Sequence, residues 1–189
     1  TKHIADETVI EIDVDNAPNN RVYPQMADFT FYGGIYRNVN LICASQTHFD
    51  LDYYGGTGLV VTPTIEGANA KVEVEVYTTE LKAGQKIVYT LYDKEENELQ
   101  KIESTETKVS FKIENVHLWN GRKDPYLYTA EVNLVEGKEI LDNVSTRFGC
   151  RSFEIDPERG FILNGREYPL RGVSRHQDRL GVGNALTKE

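Results

Sequence analysis

A chain of 189 residues, 39% apolar and 27% charged, is long enough for one or two domains with sizeable cores and is too apolar for an intrinsically disordered segment. Its formal net charge of −9, with no run of lysine and arginine longer than a pair, offers nothing to neutralise a row of phosphates and argues against a nucleic-acid partner. No stretch approaches the roughly 20 apolar residues of a membrane helix.

Strand signals run from end to end. The N-terminus, from Thr1 to Glu7, lacks the apolar core of a signal peptide, and both cytoplasm and periplasm stay open. From Thr8 to Val14, Val9, Glu11 and Asp13 alternate with Ile10, Ile12 and Val14, which predicts a strand broken by the loop from Asp15 to Asn20. Between Ala70 and Tyr77, Val72, Val74 and Val76 alternate with Glu73 and Glu75, as expected for an antiparallel strand with one wet face. Strands follow over Lys86 to Tyr92 and over Lys108 to Ile113, where Val109, Phe111 and Ile113 point inward. Residues from Tyr126 to Val135 and from Glu139 to Phe148 form a hairpin around Glu136, Gly137 and Lys138. No window of twelve residues carries a helical stripe.

This spacing predicts an all-β fold, an immunoglobulin-like antiparallel sandwich over residues 44–150. Trp119 and the Pro125-Tyr126-Leu127-Tyr128 segment would lie at one end of it. Tyr128 enters the penultimate strand, either as a tyrosine corner or as a core tyrosine with a solvated hydroxyl. Cys43 and Cys150 are too few for a disulfide framework or a zinc site, and free thiols are expected.

Beyond the sandwich, Phe161-Ile162-Leu163 leads into Asn164-Gly165, a two-residue hairpin signal, and Glu167 to Val173 reads as the returning strand. Arg175, His176, Gln177 and Asp178 follow at once. Polar groups at the C-terminal end of a strand are where α/β barrels place their chemistry, yet such a barrel needs about 250 residues. The chain therefore reads as a piece of a larger protein, with residues 1–43 and 151–189 as parts of neighbouring domains.

Three segments in order carry a resemblance. They are Asp28-Phe29-Thr30-Phe31-Tyr32-Gly33-Gly34-Ile35-Tyr36-Arg37-Asn38-Val39, then Leu118-Trp119-Asn120 with Pro125-Tyr126-Leu127-Tyr128 and Arg147-Phe148-Gly149-Cys150-Arg151, then Phe161 to Gly165 leading to Leu170-Arg171-Gly172-Val173-Ser174-Arg175-His176. Together they resemble glycoside hydrolase family 2, the family of β-galactosidases, β-glucuronidases and β-mannosidases. The tail from Gln177 to Leu186 is most similar to its β-galactosidase branch. The resemblance implies the end of a sugar-binding jelly roll (residues 1–43), a complete sandwich, and the first strand of a (β/α)8 barrel (residues 151–189).

It also implies a retaining hydrolase of terminal β-galactosides, whose two catalytic carboxyl groups stand about 5–5.5 Å apart. In the family both are glutamates on later barrel strands, so this chain holds no catalytic residue and is expected to be inactive alone. By the same resemblance His176 hydrogen-bonds a glycone hydroxyl, and Asp28 reaches the sugar and helps hold a sodium ion. Without it, His176 is a surface histidine and Asp28 a turn cap. Ser174 and Gln177 stand where asparagine and glutamate are usual, which weakens any second metal site. The parent protein would use Na+ and Mg2+, this part no cofactor, and family members often assemble as homo-oligomers through the sandwich.

Other residues read more plainly. Glu154, Asp156 and Glu158 form a solvated edge with no pocket to raise a pKa. Arg37 and Arg175 either pair with carboxylates outside this chain or are solvated or locally paired. His3, His48 and His117 are surface groups, Gly181 and Gly183 mark a turn, and the Asn143-Val144-Ser145 sequon falls in a predicted strand. A competing reading is a stand-alone sugar- or protein-binding sandwich, whose aromatic platform would be Tyr53-Tyr54 or Tyr89 with Tyr92.

Overall fold

The computed structural model describes residues 7–21 and 31–187. Two compact units result: Cys43–Leu170, and the two flanking segments together. No helix occurs among the described residues, and hence none long and apolar enough to cross a membrane.

Within Cys43–Leu170 two antiparallel sheets face one another. The first orders β1 (Leu59–Glu66), β2 (Asn69–Val76) and β5 (Lys108–Ile113) as β1-β2-β5. The second orders β3 (Gln85–Tyr92), β4 (Glu98–Ser104), β6 (Tyr128–Glu136) and β7 (Glu139–Phe148) as β4-β3-β6-β7. Because β2 pairs with β5 and β3 with β6, the connections interlock as in an immunoglobulin-like sandwich.

The register follows from side-chain alternation. Val72 lies opposite Phe111 and Val74 opposite Val109, while Glu73 and Glu75 face outward opposite Ser110 and Lys108. On the second sheet Ile87 meets Leu134, Tyr89 meets Val132 and Leu91 meets Ala130. These inward rows, closed by Phe49, Phe148 and Cys150, form one core. A side chain such as Val72 or Leu134, buried outright, contributes about 1.5–3 kcal/mol. On the wet face the Lys108 ammonium lies 2.8 Å from Glu73 and 3.5 Å from Glu75, and Lys71 lies 3.3 Å from Glu73. Lys108 first, then Lys71, holds the Glu73 carboxyl below its ordinary range. Exposed pairs of this kind add little stability.

Tyr128 resolves as a corner. Its ring is buried, and its hydroxyl accepts a 2.9 Å bond from the backbone N–H of His117, eleven residues upstream. Trp119 caps that end: its N–H donates to the Cys150 carbonyl at 2.9 Å, and Arg151 lies 5.0 Å from its ring.

A third sheet, ordered β10-β9-β8, follows, built from β8 (Phe153–Asp156), β9 (Gly160–Leu163) and β10 (Arg166–Glu167). The Asn164-Gly165 turn has φ of 50° and 75°, as a type I′ hairpin requires. Asn164 also fastens this sheet to the sandwich. Its Nδ2 donates to the Trp119 carbonyl (3.0 Å) and to Asn120 Oδ1 (2.8 Å), and its Oδ1 accepts from the Ser152 N–H.

Two strand expectations fail. The returning strand expected to reach Val173 stops after Glu167; Tyr168 makes one more bond, to the Phe161 carbonyl, and Pro169 then offers no N–H. The alternating segment from Thr8 to Val14 forms no strand. Its apolar side chains Val9, Ile10, Ile12 and Val14 are all exposed. Residues 31–42 likewise carry no strand.

Candidate functional site

The flanking unit holds a cleft of about 260 Å³ lined by Tyr36, Arg37, Arg175, His176, Gln177, Asp178 and Asn184. It gathers three separate stretches of sequence, and its volume sits just under the usual size of ligand pockets. His176, which the resemblance made a sugar contact, is one of the lining residues, with Arg175 and Gln177 on either side of it. Asp28, the other predicted contact and sodium ligand, lies outside the described residues, as does His3.

Arg37 is held on several sides. One Nη1 nitrogen donates to the Tyr36 carbonyl at 2.8 Å and to the Asn184 carbonyl at 2.6 Å, and the guanidinium lies 5.0 Å from the Tyr36 ring centroid. Of the roles expected for Arg37, local pairing describes this: it grips backbone carbonyls of its own chain. Asn184 belongs to a turn closed by the Arg179 and Gly183 backbone groups, which bond to each other in both directions, at 3.2 and 2.9 Å. Gly181 and Gly183 have φ of 89° and 55°, so both glycines named as turn residues hold the left-handed conformation.

Tyr36, Asp178 and Asn184 were not foreseen as cleft residues. Tyr36 and Asp178 each lie inside a segment already singled out, and Asn184 follows the turn that Gly181 and Gly183 mark, but nothing local signals that it meets Arg37. Among the described residues no three His, Cys, Asp or Glu side chains stand close enough to hold a metal ion.

The other candidates settle as structural groups. Asp156 Oδ1 accepts 2.8 Å bonds from the Glu158 and Arg159 N–H groups, and those bonds, Arg159's first, lower its pKa. That makes a turn cap, opposite to the raised pKa of a catalytic acid. Tyr89 is fully buried and donates to the Glu106 carbonyl at 2.8 Å, so Tyr89 and Tyr92 form no platform. Tyr53 stacks on Tyr77 at 4.2 Å, leaving Tyr54 exposed. His117 is on the surface but partnered: its Nε2 lies 2.7 Å from Asp124 Oδ2, and its ring stacks on Tyr126 at 4.0 Å. His48 Nδ1 lies 2.8 Å from the Ser45 carbonyl. Asn143 of the sequon, within β7, donates to Asn133 Oδ1 at 2.7 Å.

The family profile of the glycosyl hydrolases family 2 matches residues 57–151, half of the chain and the whole of the two-sheet sandwich. The chain belongs to this family. Among its family 2 relatives, a β-glucuronidase of Bacteroides fragilis is 34% identical, over 91% of this chain and 26% of that protein. A β-galactosidase of Thermoanaerobacter pseudethanolicus is 30% identical, over 95% of this chain and 24% of its own length. The crystal structure of an FMN-binding β-glucuronidase from Facaelibacterium prausnitzii L2-6 superimposes with a TM-score of 0.85 at 40% identity, over 91% of this chain and 27% of that one. This family 2 chain spans about a quarter of the length of the curated relatives it matches.

Proposed function

We propose that this chain is the central, non-catalytic part of a retaining family 2 β-glycosidase whose full-length form hydrolyses terminal β-galactosides through a covalent glycosyl-enzyme. The observation that carries the reading is the cleft, in which His176 stands among Tyr36, Arg37 and Asn184 drawn from distant parts of the sequence. An imidazole there can donate to or accept from a sugar hydroxyl at neutral pH. Asp28 is kept in the proposal as a second glycone contact. Among the described cleft residues Asp178 is the single carboxylic acid, whereas retention needs a pair. The sandwich then serves as the rigid element that joins the segments on either side of it.

A second reading, a β-glucuronidase, is favoured by the names of the Bacteroides fragilis relative and of the flavin-binding structure. Both readings are tested on the full-length polypeptide with nitrophenyl β-galactoside and β-glucuronide. The expected result is turnover of the galactoside, lost in the 189-residue chain alone, with His176→Ala lowering kcat/KM about 5- to 150-fold, the value of one well-placed hydrogen bond. Turnover of the glucuronide alone selects the second reading. Failure of the full-length protein to cleave either sugar, or hydrolysis by the short chain, overturns the proposal.

A further inference from the structure

We infer that Arg37 is a positioning residue of the cleft, setting the turn at residues 179–185 that supplies the wall at Asn184. The inference rests on the proposed glycone site for its purpose, and on the geometry for its substance. The turn is closed by its own backbone bonds: Gly183 N–H and Val182 N–H both donate to the Arg179 carbonyl, and Ala185 N–H donates to the Val182 carbonyl. Such a turn keeps its shape, but its own bonds do not fix its direction, and its apolar side chains bury little: Leu180 is fully exposed and Val182 half-exposed.

Two contacts supply direction. The Tyr32 ring lies against Gly183, where an added Cβ would come within 3.0 Å of ring carbons. The Arg37 guanidinium then holds the next residue, Asn184, by its carbonyl, 147 positions away in sequence. Two adjacent residues pinned by two side chains of one segment fix an orientation that either contact alone would leave free. Arg37 suits this role because the same Nη1 also bonds the Tyr36 carbonyl and its plane lies by the Tyr36 ring, so the cation is aligned before it meets the turn.

Gly183 carries its own reporter, because protons near an aromatic face are displaced upfield in NMR. In the 189-residue chain the Gly183 α-protons are expected to be shifted in the wild type, and Tyr32→Leu, which deletes the ring, gives the unshifted baseline. Arg37→Met should lose more than half of the shift, Arg37→Lys should keep most of it, and β3 and β6 amide shifts should not move. A wild type at the baseline, an Arg37→Met chain with the full shift, or disturbance spread equally over β3 and β6 each overturns the inference. In the full-length enzyme Arg37→Met should raise KM about tenfold with kcat changed less than threefold, and Arg37→Lys should restore it. An enzyme that cleaves no β-glycoside defeats the functional proposal, while the Gly183 shift still decides the role of Arg37.

Discussion

Gly149 and Cys150 show how single atoms set the end of the sandwich. A Cβ on Gly149 would sit 2.8 Å from the Trp119 Cβ, and the Trp119 backbone is itself bonded to Cys150, so neither side can give way. Gly149→Ala should therefore cost about 1–3 kcal/mol, the usual penalty of overpacking, read as a lower urea midpoint with an unchanged slope. Burial pushes the Cys150 thiol up to about 11. At pH 8 a thiol reagent should modify the exposed Cys43 and spare Cys150, with a second equivalent consumed only on unfolding. The free state of both cysteines was legible from their number. That Tyr128 would bond the backbone of His117 was not, because sequence alone could not say whether its hydroxyl faced water.

At the scale of elements, legibility tracked how strongly each strand alternates. β2, β5 and β6 announce themselves, since every second residue enters the core, and β7 reads as the returning arm of the β6 hairpin. β1 and β4 escaped notice. β1 carries Pro63, tolerated because it is an edge strand, and β4 is another edge whose Glu98, Gln100, Lys101 and Glu103 leave little apolar signal. The opposite error arose at Thr8–Val14, where alternation is present but no strand forms and the apolar side chains stay exposed. The turn after β8 gives a prediction of its own. Asp156 has a lowered folded pKa, so its contribution is complete above the unfolded value and is lost as pH falls through the folded one. Below about pH 4 the Glu158 and Arg159 amides should lose protection relative to their intrinsic exchange rates, by NMR, and Asp156→Ala should abolish that acid dependence while leaving β3 and β6 unaffected.

For the molecule as a whole, the core tyrosines govern the alkaline limit. Burial first, and the nearby Glu106 second, raise the Tyr89 pKa far above that of a free phenol; burial likewise raises Tyr128. A raised folded pKa means stability that is complete below the unfolded value, about 10, and drains away as pH climbs toward the folded one. Urea midpoints should therefore fall above pH 10. Tyr89→Phe should flatten that fall, at the cost of about 0.5–1.5 kcal/mol at pH 7 for its bond to the Glu106 carbonyl. The sandwich could be read from period-two patterning, which is local. The cleft could be read only through His176 and the segment around Arg37, because Asn184 joins them through long-range contacts that leave no periodic trace. The interlocked pairing of β2 with β5 and β3 with β6 has one more consequence, in time. Val72 cannot meet Phe111 until the chain between them has closed on itself, so folding belongs to the millisecond-to-second class of sandwich topologies. During that wait the valines of β2 would be ready partners for another molecule's strand, and Glu73 and Glu75, set between them, act as gatekeepers against aggregation.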